Sequence, residues 1–310
     1  MARRVRGLTG MVSVINHANR GNVPIAPPSG KSATRGNREL MHKKSIAFHG
    51  RFVSEVKRKE WTLMPVDITA LLRVNKYPGR GIVLGASSDG GKRIAAYFIM
   101  GRSENSRNRV FEKTRDGIRT AAFDPARLTD PSLVIYHPLR QACGSLVIAN
   151  GDQSDTICEY LGNGSSYADA LMTREYEPDP PIFTPRISGL VRSDGSCSLS
   201  ILKKAEGEDV HTARYFFEYS GLSAGAGLFL STYNISRTGN RRADEVGATP
   251  KPFAGEPAQV TIDYSSGLSA FANEIWESLD GDNKVSLYVR ETDIATGAYD
   301  DVIINKHREG

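Results

Sequence analysis

Three arginines and two asparagines fall within the eight residues Arg102-Ser-Glu104-Asn105-Ser-Arg107-Asn108-Arg109. Arginine presents a fixed fork of N–H donors to phosphate or carboxylate, and asparagine offers a donor and an acceptor together. Such a segment, leaving the end of an apolar run, suits recognition of a small, polar, anionic molecule. A solvated charged loop is the plain alternative, since most charged runs are only that. Tyr136 ends the run Leu133-Val-Ile-Tyr136, and a phenol with a pKa near ~10 can donate a proton. Taken alone, Tyr136 reads first as a half-buried strand aromatic. Glu104, Glu175, Glu177 and Asp179 are available as general bases, and each is as readily a solvated loop residue.

These groups must be carried by elements that hold them still. Ile82–Leu84 and Ile94–Met100 are apolar runs around Gly85-Ala-Ser-Ser-Asp-Gly-Gly91, the mark of a hairpin turning through glycine and aspartate. Short strands are expected at Leu133–Tyr136, Leu146–Ala149, Ile187–Val191, Ser198–Leu202, Arg214–Tyr219, Gly227–Thr232, Val260–Tyr264, Val285–Arg290 and Val302–Asn305. Hairpin-like turns are expected at Ser193-Asp-Gly195 and Gly281-Asp-Asn283. Helices are expected from Asp152 or Ser154 to Tyr160, from Ser166 to Arg174, and from Ser269 to Leu279 with Ala272, Ile275, Trp276 and Leu279 on one face. Asn150-Gly-Asp152-Gln153-Ser-Asp155 lies where a strand gives way to a helix, so free N–H groups there could hold a ligand or simply be capped. Many antiparallel strands with few helices fit two packed sheets flanked by helices, an α+β arrangement.

The chain of 310 residues can bury a sizeable core, and its 39% hydrophobic and 24% charged content is ordinary for a globular protein. No apolar run approaches the ~20 residues that span a bilayer. The net charge of +5 is unevenly spread. Residues 1–63 hold 13 Lys and Arg against 3 Asp and Glu, which leaves 27 basic and 32 acidic residues for 64–310. The first segment, rich in Gly, Pro, Asn, Arg and Ser, is expected to be a disordered basic arm, and a nucleic-acid role would rest on it alone. Met1-Ala-Arg-Arg-Val-Arg has no apolar stretch after it, so secretion is not expected. Cys143, Cys158 and Cys197 are odd in number and lack CxxC spacing, which argues for a reducing cytoplasm and against a zinc site.

Rival motifs fail on context. Gly30-Lys31-Ser32 lacks the first glycine of a phosphate-binding loop, since Ile25 stands there. Gly221-Leu-Ser223-Ala-Gly225 fits GxSxG, but a strand and not a helix follows it. Gly79-x-Gly81-x-x-x-Gly85 precedes its strand instead of following one.

Tyr77-Pro-Gly-Arg80-Gly and Gly101-Arg102-Ser-Glu-Asn-Ser-Arg-Asn-Arg109 resemble the archaeal-type IMP cyclohydrolase family in its bacterial branch. The resemblance continues through Ala122-Phe-Asp-Pro125, Thr129-Asp-Pro-Ser-Leu-Val-Ile-Tyr136, Asn150-Gly-Asp-Gln-Ser-Asp155 and Phe183-Thr-Pro-Arg186-Ile-Ser-Gly189. It implies a four-layer αββα sandwich of Ntn-hydrolase type with mostly antiparallel sheets, over 64–310, and the interconversion of a formamido-imidazole-carboxamide ribonucleotide with IMP. On this resemblance Arg109 and Tyr136 match the family's catalytic arginine and tyrosine, with Glu104 beside them. Arg80, Arg102, Asn105, Arg107, Asn108, Asn150, Asp152, Asp155, Thr184 and Arg186 are the expected substrate contacts. Met64-Pro65 offers no N-terminal nucleophile, so the fold would work without one. Neither metal nor cofactor is expected, and the expected partner is a purine nucleotide, with no membrane or nucleic acid and with self-association into a homo-oligomer. Residues 1–63 are then an extension of the family unit or the product of a start placed too far upstream. A non-catalytic nucleotide-binding protein and a nucleic-acid-binding protein acting through the arm are the alternatives.

Overall fold

Arg80–Ala86 and Lys92–Met100 form the expected hairpin as strands β2 and β3, paired antiparallel from Arg80 opposite Ile99 to Ala86 opposite Arg93. The computed structural model describes residues 65–128, 131, 133–207, 211–236 and 250–308. The basic arm expected over 1–63 lies outside the described residues. Before the hairpin come β1 (Val66–Asp67) and helix α1 (Ile68–Arg73), whose first turn is capped by the Asp67 carboxylate accepting from the Ala70 N–H. After it come α2 (Glu104–Arg107), β4 (Val110–Lys113), β5 (Gly117–Ala121), β6 (Leu139–Ala142) and β7 (Ser145–Ala149). Helices α3 (Gln153–Gly162) and α4 (Tyr167–Met172) lead to β8 (Arg186–Val191), β9 (Cys197–Lys204), β10 (Thr212–Tyr219), β11 (Ala226–Ser231) and β12 (Ala258–Thr261). Helix α5 (Leu268–Ser278) and strands β13 (Lys284–Asp293) and β14 (Tyr299–Asn305) complete the order.

The strands make two sheets of seven, ordered β1-β12-β11-β2-β3-β13-β14 and β10-β9-β8-β7-β6-β5-β4. Every pairing is antiparallel except β1 with β12. The α+β class with mostly antiparallel sheets is thus as expected.

Side chains on successive strand residues point to opposite faces, so one strand can serve two cores. In β3, Ala95, Tyr97 and Ile99 join a cluster that also holds Leu146, Ile148, Ile187, Leu199 and Ile201 of the second sheet. Ile94, Ala96, Phe98 and Met100 instead join Leu71, Leu72, Phe271 and Ile275 of helices α1 and α5. A third cluster sets Val147, Leu190 and Leu202 of the second sheet against Ile157, Ala170 and Leu171 of α3 and α4. Burial on both faces is why β3 reads as a continuous apolar run instead of an alternating one. Arg80 lies on β2 two residues from Ile82, so it shares the face that looks into the space between the sheets.

Three expectations need correction. Leu133–Tyr136 is not a strand: Thr120 occupies its backbone, donating its side-chain hydroxyl to the Val134 carbonyl, accepting from the Tyr136 N–H and sending its own N–H to the Tyr136 carbonyl. Pro138, with no N–H, cannot extend such a ladder. Strand β12 ends at Thr261, short of Tyr264, and Gly281-Asp-Asn283 joins a helix to a strand instead of closing a hairpin. The short pieces α1, β4, β5 and β6 were not legible as periodic runs. Among the described residues no helix is long and apolar enough to cross a membrane.

Candidate active site

Tyr77-Pro-Gly-Arg80-Gly is a fitted joint between β2 and the end of β11. The Pro78 carbonyl accepts the Tyr233 N–H at 3.3 Å, and the Thr232 hydroxyl accepts the Arg80 N–H at 3.1 Å. Gly79 has φ of +82°, and any Cβ there would meet Thr232 and Tyr233 within 3 Å. The Tyr77 ring stacks on Tyr233 at 5.7 Å between centroids, and the Arg102 guanidinium lies 4.6 Å over Tyr77. This joint fixes the root of Arg80 and sends its side chain inward.

Arg109 enters from the other side, just before β4. That strand is fastened by Asn305, whose side chain accepts the Phe111 N–H at 2.7 Å and donates to the Phe111 carbonyl at 3.1 Å, as a neighbouring strand would. Ser286 on β13 donates to the same Asn305 oxygen and to the Arg109 carbonyl. Arg80 and Arg109 are 7% and 4% exposed, and neither guanidinium has a hydrogen bond or ion pair among the described residues. The Nε–H of each is buried without a partner. Burial lowers the pKa of Arg109 and the neighbouring Arg80 charge lowers it further. Arg80 is itself opposed by burial, yet the surrounding Tyr77, Glu177, Tyr136 and Tyr233 raise it on balance. Two buried cations side by side, with unused donors, are the mark of a place for an anion.

Glu177 is close enough to both arginines for its charge to raise their pKa. It is 6% exposed, and burial pushes its carboxyl up to about 7 against the pull of Arg80 and Arg186. Its backbone is pinned by its N–H to the Thr184 carbonyl, and Asp179 in turn holds Thr184 through both its N–H and its hydroxyl. A carboxyl poised near neutrality can take up and release protons at working pH. Tyr136, 4% exposed, meets the Tyr97 hydroxyl at 2.9 Å and faces Arg80 and Arg109.

Of the residues singled out in the sequence, the structure therefore brings together Arg80, Arg109 and Tyr136, with Thr184 behind Glu177. The others, except Asn105, are taken up by protein partners, Asn150 and Arg186 beside Glu177 and the rest apart from it. Asn150 is fully occupied as a bracket, donating to the Pro185 carbonyl and Glu177 and accepting from Ile187 and Gln153. Arg186 shares its face of β8 with Leu190 of the outer cluster, and it bonds to Asp152 at 2.7 Å and to Gln153. Asp152 also pairs with Arg174, and Asp155 with Arg140 and His137. The loop 101–108 is likewise built on itself. Asn108 brackets Asp124 through its backbone N–H and carbonyl, and Arg107 donates to the Gly101 carbonyl. Asn105 keeps a buried side-chain oxygen without a partner. Glu104 has a side chain 72% exposed and pairs with Arg127, outside the buried cluster.

Sequence reasoning left Glu177 undistinguished from Glu175 and Asp179, because only the fold buries one of the three. Tyr97 and Tyr233 were passed over altogether. A signal for Tyr97 did exist: a hydroxyl inside the run Ala95–Met100 must find a partner once buried.

The geometry defines an α+β protein with two buried arginines, their Nε–H groups unpartnered, between two sheets. Comparison places it more closely. A family model described as IMP cyclohydrolase-like protein matches residues 77–297, and the chain belongs to that family. An IMP cyclohydrolase of Methanopyrus kandleri is 36% identical over 120 residues, covering 36% of this chain and 57% of that protein. The aligned segment thus spans little more than half of that relative's length.

Proposed function

We propose that the protein is an IMP cyclohydrolase, interconverting the 5-formamidoimidazole-4-carboxamide ribonucleotide with IMP and water. The observation that carries this reading is the pair of buried, unpartnered guanidiniums of Arg80 and Arg109 beside Glu177 and Tyr136. The family match and the named relative support it. The three apolar clusters support a four-layer αββα sandwich of Ntn-hydrolase type as its frame. The reading takes 64–310 as the working unit, in the cytoplasm, with a purine nucleotide as its partner.

In the closing direction the carboxamide nitrogen attacks the formyl carbon. Both groups sit on one molecule, so the protein has to orient them and move protons. Glu177 takes the proton the nitrogen loses, and Tyr136 gives its proton to the formyl oxygen, leaving a phenolate. Collapse of the carbinolamine reverses both transfers. Glu177 protonates the departing hydroxyl as water, and the ring nitrogen returns a proton to Tyr136. Arg80 and Arg109 present their free N–H groups to the anionic parts of the substrate and, both coupled to Tyr136, to the charge that develops there.

The test is turnover of the formamido ribonucleotide by the full-length protein, followed by ultraviolet absorbance, with Arg109→Ala and Tyr136→Phe in parallel. Turnover is expected to fall about 10²–10⁴-fold in each variant. A wild-type protein that binds IMP but turns nothing over would overturn the reading.

A further inference from the structure

Tyr97 and Tyr136 come from distant parts of the chain, the middle of β3 and the segment before β6, and meet only through their hydroxyls, 2.9 Å apart. Tyr97 is fully buried, and its hydroxyl has no other hydrogen-bond partner among the described residues. A buried phenol must place its proton on an acceptor or forfeit a bond it had in water. Here the acceptor is the Tyr136 oxygen. Either hydroxyl could donate on geometry alone. Tyr136, however, keeps 4% exposure and is electrostatically coupled to Arg80 and Arg109, so its proton can go to a ligand oxygen or to solvent. Tyr97 is closed off and has the Tyr136 oxygen alone; Tyr97 therefore donates and Tyr136 accepts. The Tyr136 proton is then left for a ligand, whose anionic parts Arg80 from β2 and Arg109 from the start of β4, both electrostatically coupled to Tyr136, would draw in. Burial also pushes the Tyr97 hydroxyl well above its ordinary pKa, so it keeps its proton.

We infer that Tyr97 is a positioning residue: by donating to the Tyr136 oxygen it aims the Tyr136 proton at the substrate and holds the phenolate left after that proton has gone. The inference rests on the reading of Tyr136 as the proton donor. A hydrogen bond to an oxygen that becomes charged during the reaction is stronger in the charged state. Its loss therefore slows the chemical step more than it weakens substrate binding.

Two measurements on the full-length protein test this. Nuclear magnetic resonance of a sample carrying ¹³Cζ-tyrosine is expected to correlate the shared hydroxyl proton with the Tyr97 ring, assigned by its loss in Tyr97→Phe. Correlation with the Tyr136 ring overturns the proposal, whatever the activity. In kinetics, Tyr97→Phe is expected to lower kcat about 10- to 100-fold with KM within about twofold, and to move the alkaline limb of the rate profile. An unchanged kcat overturns the positioning role. Should Tyr97→Phe fail to fold, as near-ultraviolet circular dichroism would show, 3,5-difluorotyrosine at position 97 keeps the hydroxyl and makes it a stronger donor. The alkaline limb must then move the opposite way, and a limb that stays still overturns the proposal. If the wild type shows no turnover, the function proposed above fails and the catalytic role of Tyr97 with it, while the resonance result still decides the direction of the bond.

Discussion

Burial holds the Glu177 carboxyl up near 7 while Arg80 and Arg186 pull against it, so this group exchanges protons across neutral pH. A raised carboxyl pKa means that the folded chain keeps a proton the unfolded chain has already released. The stability tied to that proton is complete below about 4.5 and is lost as pH rises through about 7. Glu177→Gln should erase this slope, so its stability relative to wild type should climb over that window by up to about 3 kcal/mol, read from denaturant melts at a series of pH values. The same substitution should lower turnover about 10²–10⁴-fold and remove the inflection near neutrality from the rate profile. A profile that keeps its inflection in the variant assigns it to another group.

Strand β4 carries Arg109 at its root, and the backbone of Phe111 is held to β14 by the side chain of Asn305, with the Lys113–Asp301 ion pair beside it. Asn305→Ala leaves the Phe111 N–H and carbonyl unsatisfied in a buried setting, at a cost of about 2–3 kcal/mol in stability. It should also loosen Arg109 and reduce kcat, although position 305 lies far along the chain from the arginine. Asn305→Asp is informative beside it, since it keeps the acceptor for Phe111 and loses the donor. At Gly81 an added methyl would meet the Phe98 ring at 2.2 Å, so Gly81→Ala is expected to destabilise by about 1–3 kcal/mol and to disturb Arg80 next to it. The β2–β3 hairpin and helices α3, α4 and α5 were legible because their apolar period, caps or turn glycines are local signals. Asn305 was not, because its role depends on a partner 194 residues away. Nor was the fate of Leu133–Tyr136, where an apolar run is claimed by one threonine before it can pair as a strand. The arginines of the site were visible by type, but type alone could not separate Arg109, buried without a partner, from Arg186, paired with Asp152.

The site draws its walls from both sheets. Arg80 and Tyr97 belong to the first, while Arg109 and Tyr136 precede strands of the second. Activity should therefore report on how the two sheets seat against each other. Leu199→Ala, at a fully buried position in the cluster shared by both sheets, should cost about 2–5 kcal/mol and lower kcat without touching the site. A drop in stability with kcat unchanged would show the sheets to be seated independently of that core. A chain beginning at Met64 is expected to retain turnover, since every group assigned a role lies beyond it; loss of activity on removing the first 63 residues would give that segment a part in the reaction.

The unpartnered guanidiniums have one more consequence. The 5′-phosphate is the same in the open ribonucleotide and in IMP, so a grip on it cannot tell one from the other. Under the function proposed above, whatever part of the guanidiniums' hold falls on the 5′-phosphate is shared by substrate, transition state and product, and it lowers KM without raising kcat; only the hold on the developing charge raises kcat. IMP should then compete with the open form at similar concentrations, and the protein should slow as its own product accumulates. The net direction is then set by the reaction's own equilibrium and by the amounts of the two nucleotides, and not by Arg80 and Arg109.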